Sequence, residues 1–177
     1  MKRSEKLVWP QFSRHTDRLV LDILHSGRVN YWTGDVGRRF ERTFADWLGV
    51  PEAMSVGSGT AALHLALAAL GVGAGDEVVV TPYSFRASAT CAANAGAKMV
   101  FADVAGDHLL SAEGIARVLT PRTKAVVVVH LFGQVADLGP IVRLCRARKL
   151  FLVEDCAQCL GGEYRGRKVG TVGDAGC

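Results

Sequence analysis

The residue best placed for chemistry is Asp155, which lies at the end of the predicted strand 150–155, just after the apolar run at 150–153 in LFLVEDCAQ. A carboxylate that leaves a buried strand needs a charged or hydrogen-bonding partner, because an unpaired charge is strongly disfavoured there. The ring nitrogen of pyridoxal phosphate would be such a partner, since the carboxylate would keep the ring protonated and electron-accepting. A magnesium ion or a helix cap would meet the same need. The residue alone therefore leaves three interpretations open.

A candidate phosphate site lies in the segment VGSGTAALHLALAAL at 56–70. The segment predicts a Gly-Ser-Gly turn followed by a helix that begins near Thr60. The N–H groups and the positive dipole end of such a helix would hold an anion, and the glycines would let a phosphate approach the backbone. A loop with an ordinary helix cap explains the same residues. The segment is neither a Walker loop nor a complete dinucleotide fingerprint.

Ring side chains follow two other predicted strands. Tyr83 and Phe85 lie in TPYSF, where either ring could stack on a planar ligand, although packing is the commoner role of an aromatic residue at a strand end. His130 lies in VHLFG. An imidazole there serves either as a catalyst or as a hydrogen-bonded structural group, and the structural role is the more frequent one.

Cys156 and Cys159 have the spacing of a redox motif and of half a zinc site. The sequence has no second cysteine pair and no histidine pair with the spacing that would complete a zinc site. We therefore expect no metal site and no disulfides, since a chain of this size can build a core without them. The odd set of five cysteines is interpreted as reduced thiols: Cys91, Cys145, Cys156, Cys159 and Cys177.

Short apolar runs alternate with amphipathic stretches from residue 53 onward, which is typical of repeated β-α units. Strands are predicted at 53–56, 77–82, 98–104, 124–131 and 150–155, and helices between them at 60–71, 86–95, 111–119 and 137–148. We expect an α/β fold with a mainly parallel sheet and helices on both faces. Ligands of such sheets bind outside the carboxyl ends of the strands, where the candidate residues lie.

Two helices are predicted ahead of the sheet. Residues 1–34 are interpreted as an arm with a helix that ends at Gly27. That helix carries Leu19, Ile23 and Leu24 on one face. In GRRFERTFADWLGV, a second helix ends at Gly49, and its apolar spacing predicts a face buried in the core. This face comprises Phe40, Phe44, Trp47 and Leu48.

The composition excludes several classes of protein. With 49% apolar and 21% charged residues among 177, the chain can close one hydrophobic core, which excludes disorder, collagen and a coiled coil. The net charge is +4 and the arginines are scattered without interleaved aromatic residues, so we expect no nucleic-acid partner. No apolar run has the length of a membrane span or of a signal-peptide core. We therefore expect a cytoplasmic protein with no membrane partner.

Several motifs, taken in order and with their spacing, resemble the DegT/DnrJ/EryC1/StrS family of pyridoxal-phosphate-dependent sugar aminotransferases. The resemblance runs from about Gly27 to Cys177 and is carried by GSGTAALHLAL, GDEVVVTPYSFRASA, VFADV, RTKAVVVVHLFGQ, ADL, EDCAQ and EYRGRKVGTVGDAG. It implies a large domain like that of aspartate aminotransferase, the fold type I architecture. It also implies a nucleotide-linked keto-sugar or a keto-cyclitol as substrate, glutamate or glutamine as amino donor, and a homodimer at full length.

The resemblance implies roles for a set of residues at the predicted strand ends. The phosphate of the cofactor would be held at the start of a helix, and its ring would be bound by side chains from two other segments. The set comprises Ser58, Gly59, Thr60 and Ala61 for the phosphate, Phe85 for stacking on the pyridine ring, Asp155 for the ring nitrogen and Gln158 for the ring oxygen. These positions coincide with the strand ends identified from the residues alone.

The chain departs from the family pattern in two places. The pattern continues, after a segment like GTVGDAG, to the lysine that forms the Schiff base with the cofactor, and none of the six lysines of this chain occupies that position. We therefore expect this lysine and a smaller C-terminal domain to lie beyond Cys177, residues 35–177 to form an incomplete large domain, and the chain alone to be inactive. The second departure is Cys159-Leu160-Gly161, where many relatives carry a histidine before the glycine.

Two alternatives from other functional classes remain open. A relative without the lysine would be a sugar dehydratase that uses pyridoxamine phosphate, although such enzymes carry a histidine at the lysine position. A non-catalytic remnant would retain only phosphate binding or oligomerisation. Absorbance of bound cofactor would separate an intact cofactor site from a scaffold.

Overall fold

The central element of the fold is a parallel sheet. The computed structural model describes residues 10–177. Its strands, in chain order, are β1 Glu77–Val80, β2 Lys98–Phe101, β3 Thr123–Val129, β4 Phe151–Asp155, β5 Glu163–Tyr164, β6 Arg167–Lys168 and β7 Ala175–Gly176. The sheet has the strand order β2-β1-β3-β4-β7 with every neighbouring pair parallel, and β5 and β6 form a separate antiparallel hairpin.

Helices cover both faces of this sheet. In chain order they are α1 Arg14–His25, α2 Val36–Leu48, α3 Gly59–Ala69, α4 Ala87–Asn94, α5 Ala112–Val118 and α6 Leu138–Arg148. Successive side chains of a strand project to opposite faces. Val78 accordingly packs with Leu67 of α3 on one face, where α4 also lies, and Val79 packs with Ile141 of α6 on the other, where α5 lies. The predicted α/β architecture is confirmed.

The connections between the strands change direction at one point in the sheet. From β1 the chain passes through α4 to β2 on one side, and then crosses through α5 to β3 on the other side of β1. The connection after β1 thus leads to one side of that strand, and the connections after β3 lead to the other. The helices that follow β1 and β3, α4 and α6, therefore lie apart. Ligands of open α/β sheets bind at such a point, outside the carboxyl ends of the strands.

The predicted strand at 53–56 is wrong. These residues form an irregular segment outside the sheet, and Met54 is 74% exposed. Ser55 donates through both its backbone N–H and its hydroxyl to the Glu41 carboxylate of α2, at 2.8 and 2.7 Å. A side chain of α2 therefore takes the place of a neighbouring strand as the acceptor for this segment.

The predicted buried face of α2 is also wrong. Ala45 is the buried residue of this helix, whereas Phe40 is 56% exposed and Trp47 43% exposed. Within the described part of the chain, α3 to α6 already cover both faces of the sheet. The aromatic rings of α2 pack on one another instead, with centroids 5.7 Å apart for Phe40 and Phe44 and 5.6 Å apart for Phe44 and Trp47.

The first helix does not contribute to the core. α1 has no buried residue, and its predicted apolar face includes the exposed side chains of Leu19 and Leu24. The beginning of the predicted arm, residues 1–9, lies outside the described residues. Among residues 10–177, no helix combines the length and the apolar character that crossing a bilayer requires.

A buried glutamate attaches the last strand to the sheet. Glu154 of β4 is fully buried, and its carboxylate accepts hydrogen bonds of 2.7–3.1 Å from Nε2 of His130 and from the backbone amides of Gly170, Val172 and Gly173. Burial raises the pKa of Glu154, but these hydrogen bonds outweigh burial and hold the pKa below its ordinary value of 4.5. The loop that supplies the amides leads into β7, so Glu154 helps to set where β7 pairs with β4.

Replacing this carboxylate should destabilise the protein. We expect Glu154→Gln to lower the free energy of unfolding by about 3–5 kcal/mol, because the amide NH2 group would face buried donors that now have an acceptor. Urea denaturation measures this change. Amide hydrogen exchange should also become faster at Gly170, Val172 and Gly173. The matched control is Glu163→Gln at an exposed position of β5, for which we expect a change within about 0.5 kcal/mol. Equal effects of the two substitutions would contradict this account.

The contribution of Glu154 to stability should depend on pH. Its pKa is lowered in the folded chain, so the contribution is complete above the ordinary value of 4.5 and is lost as the pH falls through the folded value. The difference in free energy of unfolding between the wild type and Glu154→Gln should therefore be largest near neutral pH and shrink in acid. Hydrogen bonds from Thr120 and Arg122 also lower the pKa of Glu77, but this residue is present in both proteins and its effect cancels. A difference that stays constant from neutral pH into this acid range would contradict the prediction.

Candidate functional site

Asp155 lies at the carboxyl end of β4, on the face of the sheet that α3 and α4 cover. It follows Val153 by two residues, and Val153 packs on that face. The side chain is 5% exposed. Its Oδ2 accepts a 2.7 Å hydrogen bond from Oγ of Ser88, and its Oδ1 accepts a 3.2 Å hydrogen bond from the backbone N–H of Ala157. A carboxylate has about four lone-pair positions, so each oxygen retains one for a ligand.

The start of α3 lies at the same end of the sheet, near the carboxyl ends of the strands. α3 ends shortly before the amino end of β1, so its first residues lie near the carboxyl ends of the strands. Ser58 caps the helix, and its Oγ accepts a 3.2 Å hydrogen bond from the N–H of Ala61. The first N–H groups of a helix have no acceptor inside the helix. Those of Gly59 and Thr60 are therefore available to a ligand, whereas that of Ala61 is already bound to Ser58.

Phe85 is connected to Asp155 through one residue. Its ring, which follows β1 and precedes α4, is 65% exposed. Its carbonyl oxygen accepts a 3.0 Å hydrogen bond from the N–H of Ser88, the residue whose hydroxyl donates to Asp155. An exposed ring and a buried carboxylate that one residue connects are suited to a planar ligand that carries a cationic edge.

A series of contacts that begins at Gln158 links the segments that follow β4, β3 and β1. It lies in the turn after β4, and its Oε1 accepts a 3.0 Å hydrogen bond from the backbone N–H of Phe132. Phe132 follows β3 in a short 3-10 turn and has a left-handed backbone with φ of 54°. Its ring meets the ring of Tyr83, which follows β1, edge-on at a centroid distance of 6.5 Å. The NH2 group of Gln158 is the part of its side chain not engaged by Phe132.

His130 has a structural position. It is fully buried after β3, and its Nδ1 accepts a 3.2 Å hydrogen bond from the N–H of Ala136. The ring proton therefore lies on Nε2, which donates to Glu154 at 3.1 Å. Glu154 and Asp155 are adjacent in one strand and project to opposite faces, so the imidazole lies away from the Asp155 side. The geometry fits a structural role for this residue and not a catalytic one.

His130, Glu154 and Cys156 place three ligand atoms within 4.8 Å of one another. These atoms do not suit a metal ion, because ligands must be deprotonated and free to coordinate. Nε2 of His130 carries its proton, and the Glu154 carboxylate already accepts from four N–H groups. Burial raises the pKa of the Cys156 thiol well above its ordinary range, and that of Cys91 to about 11. Such buried, protonated thiols are unreactive.

None of the described lysines forms an ion pair with Asp155. Lys98 and Lys124 occupy the amino ends of β2 and β3, and Lys149 precedes β4. The stretch from Lys149 to Asp155 spans about 20 Å at the rise of a strand. Lys168 lies in the β5–β6 hairpin, over the ring of a tryptophan in α2. All of these amines are therefore remote from the carboxyl edge of the sheet or engaged elsewhere.

Sequence analysis missed Ser88, the residue that contacts Asp155. A weak signal was present, because a polar residue stands among small apolar residues in the predicted helix at 86–95. Its partner is 67 residues away in the chain, so no local pattern could pair them. The structural role of Glu154 was missed for the same reason, although strand alternation places it on the face opposite to Asp155.

Comparisons with known proteins identify the family of this chain. Residues 11–177 match the DegT/DnrJ/EryC1/StrS aminotransferase family. The chain is 46% identical over 175 residues to an L-glutamine:2-deoxy-scyllo-inosose aminotransferase from Streptomyces fradiae, and 40% identical over 169 residues to a GDP-perosamine synthase from Vibrio cholerae. These alignments cover 96% and 93% of this chain, but 41% and 45% of the relatives. The chain thus spans less than half the length of these relatives.

Solved structures of aminotransferases share the fold. An aminotransferase from Psychrobacter cryohalolentis is 45% identical with a TM-score of 0.93, over 96% of this chain and 43% of that one. A sugar aminotransferase from Streptococcus pneumoniae, described as a PLP form, is 28% identical with a TM-score of 0.88, over 93% of this chain and 46% of that one. The match to the family extends over nearly all of the described residues, and the chain therefore belongs to the DegT/DnrJ/EryC1/StrS aminotransferase family.

Proposed function

We propose that this chain forms the pyridoxal 5'-phosphate site of an aminotransferase that acts on a nucleotide-linked keto-sugar or a keto-cyclitol. The observation that carries this proposal is the placement of Asp155. Its carboxylate is buried at the carboxyl end of β4, is fixed by a donor on each oxygen, and retains lone pairs for a ligand. Membership in an aminotransferase family supports the same conclusion.

The residues fit the chemical groups of pyridoxal phosphate. Its protonated ring nitrogen needs a carboxylate, which Asp155 offers. Its phosphate needs N–H donors and space, and these occur at the positive end of α3 in Gly59 and Thr60. A Cβ atom added to Gly59 would meet no atom within 4 Å, so a phosphate has room to approach the backbone. The exposed ring of Phe85 offers a flat face for stacking, and the NH2 group of Gln158 a donor for the ring oxygen.

Each residue would have a distinct task in the reaction. When bound, pyridoxal phosphate supplies an electron sink for chemistry at the carbon next to an amine nitrogen. Asp155 would hold a proton on the ring nitrogen and so maintain the electron demand of the ring. The N–H groups at the start of α3 would bind the phosphate and prevent the ring from sliding. Phe85 would fix the plane of the ring and exclude water from one face of it.

The substrate class is proposed from the relatives. One is named for L-glutamine and 2-deoxy-scyllo-inosose, and another for GDP-perosamine, at 46% and 40% identity. A cyclitol and a nucleotide-linked sugar present the same reacting group, a ring ketone that receives an amine. We propose glutamate or glutamine as the amino donor for the same reason.

The working assembly is proposed to be a cytoplasmic homodimer, in which residues 35–177 form the cofactor-binding unit and residues up to 34 an arm. The support is apolar surface on and between α1 and α2, where Leu24, Trp32 and Phe40 are 59%, 86% and 56% exposed. Large contiguous apolar patches on soluble proteins mark interaction surfaces. A second copy of the chain would cover this one.

Removal of the Asp155 carboxylate should weaken cofactor binding. We expect Asp155→Ala to reduce the affinity for pyridoxal phosphate by about ten- to a hundredfold, since a hydrogen bond to a charged group contributes about 1.5–3 kcal/mol. Gln158→Ala removes a neutral hydrogen bond and should have the smaller effect. Absorbance titration of the purified protein measures both affinities.

The control for this experiment is Asp103→Ala, which removes an exposed aspartate after β2. It should leave the affinity unchanged, because Asp103 lies outside the proposed site. An affinity that falls no further for Asp155→Ala than for Asp103→Ala would refute the assignment of Asp155.

None of the four described lysines should anchor the cofactor. After one equivalent of pyridoxal phosphate is added and reduced with borohydride, we expect no stoichiometric label on Lys98, Lys124, Lys149 or Lys168. Lys98 and Lys124 lie at the amino ends of strands and Lys149 precedes β4, while the amine of Lys168 lies 5.3 Å from the ring centroid of Trp47. Peptide mass mapping locates the label, and Lys124→Arg should leave its pattern unchanged. Specific labelling of one of these four lysines would show that the cofactor binds elsewhere.

A further inference from the structure

A short chain of hydroxyl groups leads from the loop before α4 to Asp155. Ser84 is half-buried in the loop before α4, Ser88 is 1% exposed in the first turn of α4, and Asp155 is 5% exposed. The Oγ atoms of Ser84 and Ser88 lie 3.0 Å apart, and Oγ of Ser88 lies 2.7 Å from Oδ2 of Asp155. Ser84 and Ser88, four residues apart in the chain, thus form a line of hydroxyl groups that ends at the Asp155 carboxylate.

The direction of these hydrogen bonds follows from counting protons. An ionised carboxylate only accepts, so the single hydroxyl proton of Ser88 is directed to Asp155. Ser88 must then be the acceptor in its contact with Ser84, and Ser84 the donor. Hydrogen bonds arranged in such a chain polarise and strengthen one another. The line therefore runs one way, from Ser84 through Ser88 to Asp155.

The position of Ser88 is not explained by the helix itself. A buried serine in a helix commonly bonds to the carbonyl oxygen four residues earlier. The Ser88 hydroxyl instead contacts a side chain 67 residues away, and its backbone N–H is bound to the carbonyl of Phe85. One residue thus fixes both the start of α4, next to the exposed ring of Phe85, and the orientation of the Asp155 carboxylate.

We propose that Ser88 is a positioning residue for the cofactor, which holds Asp155 in the one rotamer whose free lone pairs face the pyridine nitrogen, and that Ser84 orients the Ser88 hydroxyl. This inference rests on the proposed function. Oδ2 is held by Ser88 and Oδ1 by the N–H of Ala157, so the plane of the carboxylate is fixed at both oxygens. Without Ser88 the carboxylate keeps one anchor and can rotate about its last side-chain bond.

The experiment compares variants that separate the hydroxyl from the volume of the side chain. Ser88→Cys keeps the approximate size with only a weak donor, Ser88→Ala removes the donor, and Ser88→Thr keeps the hydroxyl. Ser84→Ala removes the outer member of the line. The control is Thr90→Ala, a half-buried hydroxyl of the same helix that lies outside the line. Urea denaturation of each variant identifies any that fail to fold.

Two measurements report on the positioning. The first is the affinity for pyridoxal phosphate, which should fall by about three- to thirtyfold in Ser88→Cys and Ser88→Ala, less than in Asp155→Ala, because the carboxylate itself remains. Ser88→Thr should restore it, and Ser84→Ala should have a smaller effect. The second is the 13C resonance of the Asp155 carboxyl in the cofactor-free protein, assigned with Asp155→Asn. It should move in Ser88→Cys and Ser88→Ala and stay in place in Thr90→Ala.

The outcomes distinguish this inference from the proposed function. A wild-type protein that binds no pyridoxal phosphate overturns the proposed function, and the positioning role with it. A wild type that binds, together with Ser88→Cys and Ser88→Ala variants that fold and bind equally well, overturns the positioning role alone. Weakened binding without a shift of the Asp155 resonance also overturns it, because the effect would not pass through the carboxylate.

Discussion

Two adjacent carboxylates at the end of β4 must both be satisfied inside the protein, and much of the structure is arranged around them. Glu154 and Asp155 are both buried, so each needs protein donors in place of water. Glu154 accepts hydrogen bonds from four N–H groups, which fill its lone-pair positions. Asp155 accepts from two donors and keeps two positions open. The number of donors therefore separates a carboxylate that holds the fold from one that can hold a ligand.

The alternation of a β-strand assigns these tasks to different layers. Glu154 projects toward the layer of α5 and α6, where His130 and the loop before β7 meet it. Asp155 projects toward the layer of α3 and α4, where it meets Ser88. The N-terminus of α3 and the start of α4 belong to that same layer. A ligand that contacts both the N-terminus of α3 and the Asp155 carboxylate would therefore bind on the face that α3 and α4 cover. The layer of α5 and α6 on the opposite face then contributes to stability.

The two N-terminal helices, α1 and α2, do not pack on the described sheet. α3 to α6 already cover both of its faces, so the apolar side chains of α1 and α2 have no sheet surface to pack against. The aromatic rings of α2 pack on one another, and those of Phe40 and Trp47 remain exposed. This surface lies outside the hydrophobic core that the sheet forms with α3 to α6.

Local patterns in the sequence were sufficient for the alternation of strands and helices, for the strand ends that carry Phe85 and Asp155, and for the cap at Ser58, because each depends on residues close together in the chain. They failed at 53–56 and at Phe40 and Trp47, where burial depends on which surfaces other elements have already covered. They did not predict the contact between Ser88 and Asp155, which are 67 residues apart. They also did not predict the hydrogen bonds from loop amides 16 to 19 residues beyond Glu154 to its carboxylate. Periodicity predicts which side chains share a face, but only the packed sheet and helices determine which groups meet across it.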